Sequence, residues 1–128
     1  MKPTAQVILL NAARLHAPLM MLFAFTLLSA RAAGSGVGFL AGAAFALALL
    51  LHNLVFGASA ARVAFPILWA RGLLSIGVIA AVVSAGMPEL RYAAAIGEAG
   101  LFVAIASGAH LVLLVLFGRA PTLRDAEW

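Results

Sequence analysis

Four apolar stretches, each near the length needed to cross a bilayer, leave this chain almost no other way to fold. They run from about Val7 to Ala30, Gly38 to Phe56, Phe65 to Ala85 and Tyr92 to Phe117. A helix needs about 20 apolar residues to span the hydrocarbon, so four spans use roughly 80 residues. The chain has 128, which leaves no room for a second domain of ordinary size. Composition points the same way: 66% of residues are hydrophobic and 9% charged, against roughly 45–50% and about 25% in soluble domains. A soluble fold of this length has too much surface to hide that much apolar side chain. In lipid only internally bonded segments or closed barrels survive, and no stretch shows the alternation of a strand. The expectation is an all-α integral membrane protein with four transmembrane helices. It forms a single domain over 1–128, with helices at about 7–30, 38–56, 65–85 and 92–117 and a polar tail over 118–128.

Breaks are expected at 31–36, 57–62 and 86–91, where glycines and arginines cluster, with Pro66 in the first turn of the third helix. A signal peptide is the rival reading of the first stretch, since Lys2 precedes an apolar run and Ser29-Ala30-Arg31-Ala32 loosely fits a cleavage region. Asn11, Arg14 and His16 interrupt that run and favour a membrane helix. The net charge is +4, but the eight basic residues are scattered singly, so no patch exists for nucleic acid. Lys2, Arg62, Arg119 and Arg124 fall on one side, with Arg14 and Arg71 in reach of it, and only Arg31 and Arg91 on the other. The positive-inside rule then places both termini in the cytoplasm. There is no cysteine, which excludes disulfides and thiolate metal sites.

Residues able to carry chemistry are few. Glu98 is the one acid inside an apolar run, and an intramembrane carboxylate is a candidate for binding a cation or moving a proton. Lying near the start of the last helix, it could instead be solvated or paired with Arg91. His110 shares a helix face with Gly100, Val103 and Ser107. A packed histidine bonded to a backbone carbonyl outweighs a proton relay there by roughly two to one. Arg14, with Asn11 and Pro18 on the same face, lies beside a carbonyl that Pro18 deprives of its helical partner. It is either part of a polar path or a side chain reaching the headgroups or a partner's acid. Glu98, His110 and Arg14 are thus the candidates for an ion path. His16, His52 and His110 are far apart in sequence with no acid near them, which argues against a metal.

Small residues recur at spacing four: Gly38–Gly42–Ala46, Gly77–Ala81–Ala85 and Gly100–Ala104–Gly108. Such stripes let helices approach closely in lipid. Three of them exceed what four short helices are expected to bury, which points to partner subunits. Gly36-Val37-Gly38-Phe39-Leu40-Ala41 fits G-x-G-x-x-A, but a dinucleotide site needs a preceding strand and an acid about 20 residues on. Neither is present, and no nucleophile–base constellation exists, so neither a cofactor nor an enzyme is expected.

Three stretches resemble the B subunit (MnhB/MrpB) family of multisubunit Mrp-type sodium/proton antiporters. Val7 to Leu19, with Arg14 and then Pro18, resembles the family's opening helix. Ser35-Gly36-Val37-Gly38-Phe39-Leu40-Ala41-Gly42 resembles its P-G-G-G-F-x-G-G turn. Gly97-Glu98-Ala99-Gly100-Leu101-Phe102 resembles its F-D-x-G-V-aromatic start to the last helix. Departures are Arg31-Ala32-Ala33 in place of G-H-N, Ser35 for proline, Val37 for glycine and Glu98 for aspartate. The resemblance implies an accessory subunit of a cation (Na+)/proton antiporter in the bacterial inner membrane, packed beside larger hydrophobic antiporter-like subunits and contributing to the sodium side of exchange. It carries over Gly36, Gly38, Phe39, Gly42, Glu98 and Gly100, to which the stripes add Gly108 as a packing position. The alternative is a structural or assembly subunit of a related Mrp-like complex, hydrogenase-type for example, that never touches ions. A self-sufficient small transporter is a third class.

Overall fold

In lipid a helix must satisfy its own backbone, and hydroxyls inside it must find internal partners too. The computed structural model of the protein, which describes residues 3–30 and 32–118, follows this rule. The described residues form four helices and no strand: α1 (Pro3–Ala30), α2 (Val37–Ala64), α3 (Ile67–Gly86) and α4 (Ala93–Phe117). All four are long and apolar enough to cross a membrane. Ser29 and Thr26 on α1 donate to the carbonyls of Phe25 and Phe23 at 2.9 and 2.8 Å, and Ser75 on α3 donates to that of Arg71 at 3.1 Å. Lys2, Arg31, Arg119, Arg124 and all of the expected tail except Gly118 lie outside the described residues.

The break expected over 57–62 is a kink inside α2. Only Gly57 leaves the helical region, at φ 87° and ψ 166°, a conformation closed to residues with a side chain. Residues 58–64 resume the helix because Ala58 and Ala61 pack on Leu114 and Phe117 at the end of α4. Pro66 then stands before the first turn of α3, as its N-cap, where its carbonyl accepts from Ala70 at 3.1 Å.

Helix α4 lies between α2 and α3, and α1 packs chiefly against α2 while its Phe25 meets Phe102 of α4. Small residues set these distances. A methyl added at Gly77 would stand 2.7 Å from the Ala104 nitrogen and 2.8 Å from the Gly100 carbonyl oxygen, so α3 and α4 touch backbone to backbone. On the opposite side of α4, a methyl at Gly42 would lie 2.9 Å from Cβ of Ile105. The stripes on α2 and α3 are therefore spent on α4 within the chain, and the argument from surplus stripes to partner subunits does not hold. What the fold leaves outside is bulky instead. Leu68 (82% exposed) and Trp69 (68%) on α3, and Leu15, Leu22 and Phe23 on α1, all face outward. Besides the contacts of Ala58 and Ala61 with Leu114, the apolar interior holds a cluster of Ala24, Ala41 and Phe102, edged by the rings of Phe25 and Phe45, whose centroids lie 5.4–5.8 Å from each other and from that of Phe102.

Candidate functional site

Two polar clusters lie at different levels of α4. At its start the chain turns into α2 through Gly34 and Gly36, both with positive φ (89° and 78°), which only glycine adopts freely. The first amides of α2 have no partner within that helix. Glu98 supplies one from across the bundle: Oε1 accepts from the Gly36 N–H at 2.8 Å and Oε2 from the Gly38 N–H at 2.5 Å. Gly38 must be glycine, because a methyl there would run into the backbone carbonyl of Glu98. The positive end of the helix dipole faces the carboxylate, the same physics that binds free anions at glycine-rich helix starts. The G-x-G-x-x-A segment does hold an anion, and it is the chain's own. Glu98 is 7% exposed and is neither solvated nor paired with Arg91, whose guanidinium stacks 5.0 Å over the Tyr92 ring.

The second cluster surrounds His110, which is fully buried. Its Nε2 lies 2.8 Å from the Phe65 carbonyl oxygen. A carbonyl only accepts, so Nε2 carries the hydrogen and Nδ1 presents a lone pair. The Phe65 ring stacks on the imidazole at 4.6 Å and fixes its orientation. This is the bond to a backbone carbonyl that the sequence favoured, yet it accounts for only one nitrogen. Nδ1 of His110, Nε2 of His52 and Oδ1 of Asn53 are all buried without a partner. An unpaired buried polar group costs about 1–3 kcal/mol. Asn53 spends its amide on the Leu49 carbonyl at 2.8 Å, and His52 rests against the Phe56 ring at 5.0 Å. Both histidines line a cavity of about 670 Å³ between α1, α2 and α4, walled mostly by apolar side chains.

The Gly57 kink builds this cavity, because it brings Ala61, Ala64 and Phe65 back over one side. Arg14 and Pro18 reach it from α1, and Arg14 is exposed there. Of the expected ion-path residues, Arg14 and His110 thus meet at one cavity, and Glu98 stands apart from it. Of the expected packing residues, Gly38, Gly42 and Gly100 occupy close helix contacts. Gly108 makes an ordinary contact, 3.6 Å from a methyl added there to Leu74, and Gly36 has open space around it and serves the turn. Phe39 is 59% exposed and packs outward, because the side of α2 facing α4 is set by Gly38 and Gly42. Sequence reasoning missed His52 and Asn53 as site residues. The available signal was a polar pair inside an apolar run, four residues before a glycine.

Comparison with known proteins gives one match. A family model described as a domain related to the MnhB subunit of Na+/H+ antiporter matches residues 8–126. No curated protein and no solved structure matches the chain.

Proposed function

The chain belongs to the MnhB family of Na+/H+ antiporter subunits, and from that premise we propose that it is an accessory integral subunit of a cation/proton antiporter of the bacterial inner membrane. It packs beside larger hydrophobic subunits through the outer faces of α1 and α3. The observation that carries the reading is the match over nearly the whole chain, on a fold of four membrane-length helices. Bulky apolar side chains on both outer helices supply the surface such packing needs. Within this reading His110 and Arg14 line the cavity used in exchange. Glu98 holds the start of α2, and Gly38, Gly42 and Gly100 set the helix spacing.

A purely structural subunit is the second reading. It is favoured by the Glu98 carboxylate, which is already engaged by two backbone amides. Removing the subunit and restoring it separates the two. The antiporter reading expects cation-driven proton movement to vanish while the larger subunits still assemble. A structural subunit takes both away together. Orientation is tested with Ser59→Cys, an exposed position in the kinked segment, and Ala33→Cys in the first turn. With cytoplasmic termini, an impermeant thiol reagent labels position 33 in intact cells and spares position 59. The reverse pattern inverts the topology.

A further inference from the structure

We propose that the cavity between α1, α2 and α4 is a hydrated proton-exchange pocket whose paired acceptors are His52 and His110. The inference deepens the antiporter reading and rests on it for purpose only, since the geometry stands without it. Two buried histidine nitrogens, Nδ1 of His110 and Nε2 of His52, lack partners, and both rings line the same cavity. An acyl chain or an apolar side chain from a partner could fill this space but would leave every one of those atoms unpaired, at full desolvation cost. Water satisfies them, provided the cavity is roomy and offers a water two or more polar partners. At about 670 Å³ the space holds several waters, and the side chains of His52, His110 and Ser107 lie along its wall.

The chemistry is a simple proton transfer. A proton from water adds to the Nδ1 lone pair of His110, giving an imidazolium whose Nε2–H stays on the Phe65 carbonyl. It leaves from Nδ1 to a bridging water, and an equivalent proton passes to Nε2 of a His52 that carries its hydrogen on Nδ1. Only N–H and O–H bonds form and break, and no other reactant is needed. The other groups facing the pair are Arg14 from α1 and Ser107 from α4, while α3 contributes only Leu73. Two imidazoliums beside a guanidinium repel one another, so the pocket carries one proton at a time.

Deuterium exchange at the histidine C2 position, read by mass spectrometry on the purified complex in D2O across pH, tests this directly. That exchange requires water at the ring and follows its protonation. The same complex denatured in D2O, where every ring meets water, serves as the reference, because the exposed His16 lies mid-way along α1 and faces lipid or a partner. The expected result is exchange at both His52 and His110 with a sigmoidal pH dependence, and a moved His52 midpoint in His110→Gln. In Ala106→Phe, which places a ring into the cavity, exchange at both positions is lost in the folded complex and returns on denaturation. Absence of exchange at both rings in the unmodified folded complex, with both exchanging in the denatured one, means a dry or lipid-filled cavity and overturns the proposal. A His52 curve indifferent to His110→Gln overturns the pairing. None of these readouts uses transport, so a complex inactive in antiport leaves them intact, and failure here leaves the subunit assignment standing.

Discussion

Glu98 and His110 lie on the same helix, twelve residues apart in sequence and so about 18 Å along its axis, yet the chain surrounds them in opposite ways. Around Glu98 every approach is close. Both carboxylate oxygens are bonded, and the facing residue is a glycine that tolerates no methyl. Around His110 one nitrogen is bonded and the other is left bare, at a cavity also lined by His52, whose Nε2 is unpartnered too. A carboxylate whose partners are fixed amides is stable where it is and poorly suited to releasing and regaining an ion. An imidazole with a spare lone pair gains from any proton or water that arrives. The first arrangement joins helices, and the second leaves chemistry undone until something enters.

The comparison breaks most readily at its tight end. Gly38→Leu forces a branched side chain into the Glu98 backbone, and overpacking of this kind costs about 1–3 kcal/mol. We expect membrane insertion to persist, because leucine favours lipid, and the amount of assembled complex to fall most in this variant. Normal assembly would mean that α2 and α4 can separate freely. Glu98→Gln comes next. One amide keeps an oxygen acceptor while the other faces an NH2 donor, at about 1–3 kcal/mol. The thermal midpoint of the purified complex should drop. Glu98→Asp, which keeps the charge but is one methylene short, should fall between it and the unmodified protein.

At the open end the stability effect is smaller. His110→Gln retains a donor for Phe65, so its cost is about 1 kcal/mol or less, and the complex should assemble at normal yield. The smallest effect belongs to the outer surface. Leu68→Ala and Trp69→Ala touch little within the chain and should change its own stability by less than about 0.5 kcal/mol. Their effect is expected in weaker co-purification of larger subunits. Unchanged co-purification would assign this face of α3 to lipid.

The spans were legible because lipid demands length and apolarity, and both are local properties of sequence. Glu98 and the glycine turn were each legible too, as a lone acid and a G-x-G-x-x-A segment. Their union was not, since the partners lie 60 and 62 residues apart and no periodicity connects them. Gly57 read as the end of a helix because glycine signals a break. Whether the chain resumes as helix depended on Ala58 and Ala61 finding the end of α4, a tertiary fact. The same kink carries Phe65 to His110 and walls one side of the cavity, so the place of His52 at a site depended on tertiary structure. Phe39 stood in a matching motif, but its direction is fixed by which side of α2 the glycines turn inward.

The most direct measurement is cation-driven proton movement in everted membrane vesicles, divided by the amount of assembled complex, for Glu98→Gln and His110→Gln side by side. The account predicts that Glu98→Gln loses activity only in proportion to the complex it loses. His110→Gln should assemble fully and lose most of its exchange. Full exchange in His110→Gln, together with a fully assembled but inactive Glu98→Gln, would contradict it and move the ion route to the start of α4.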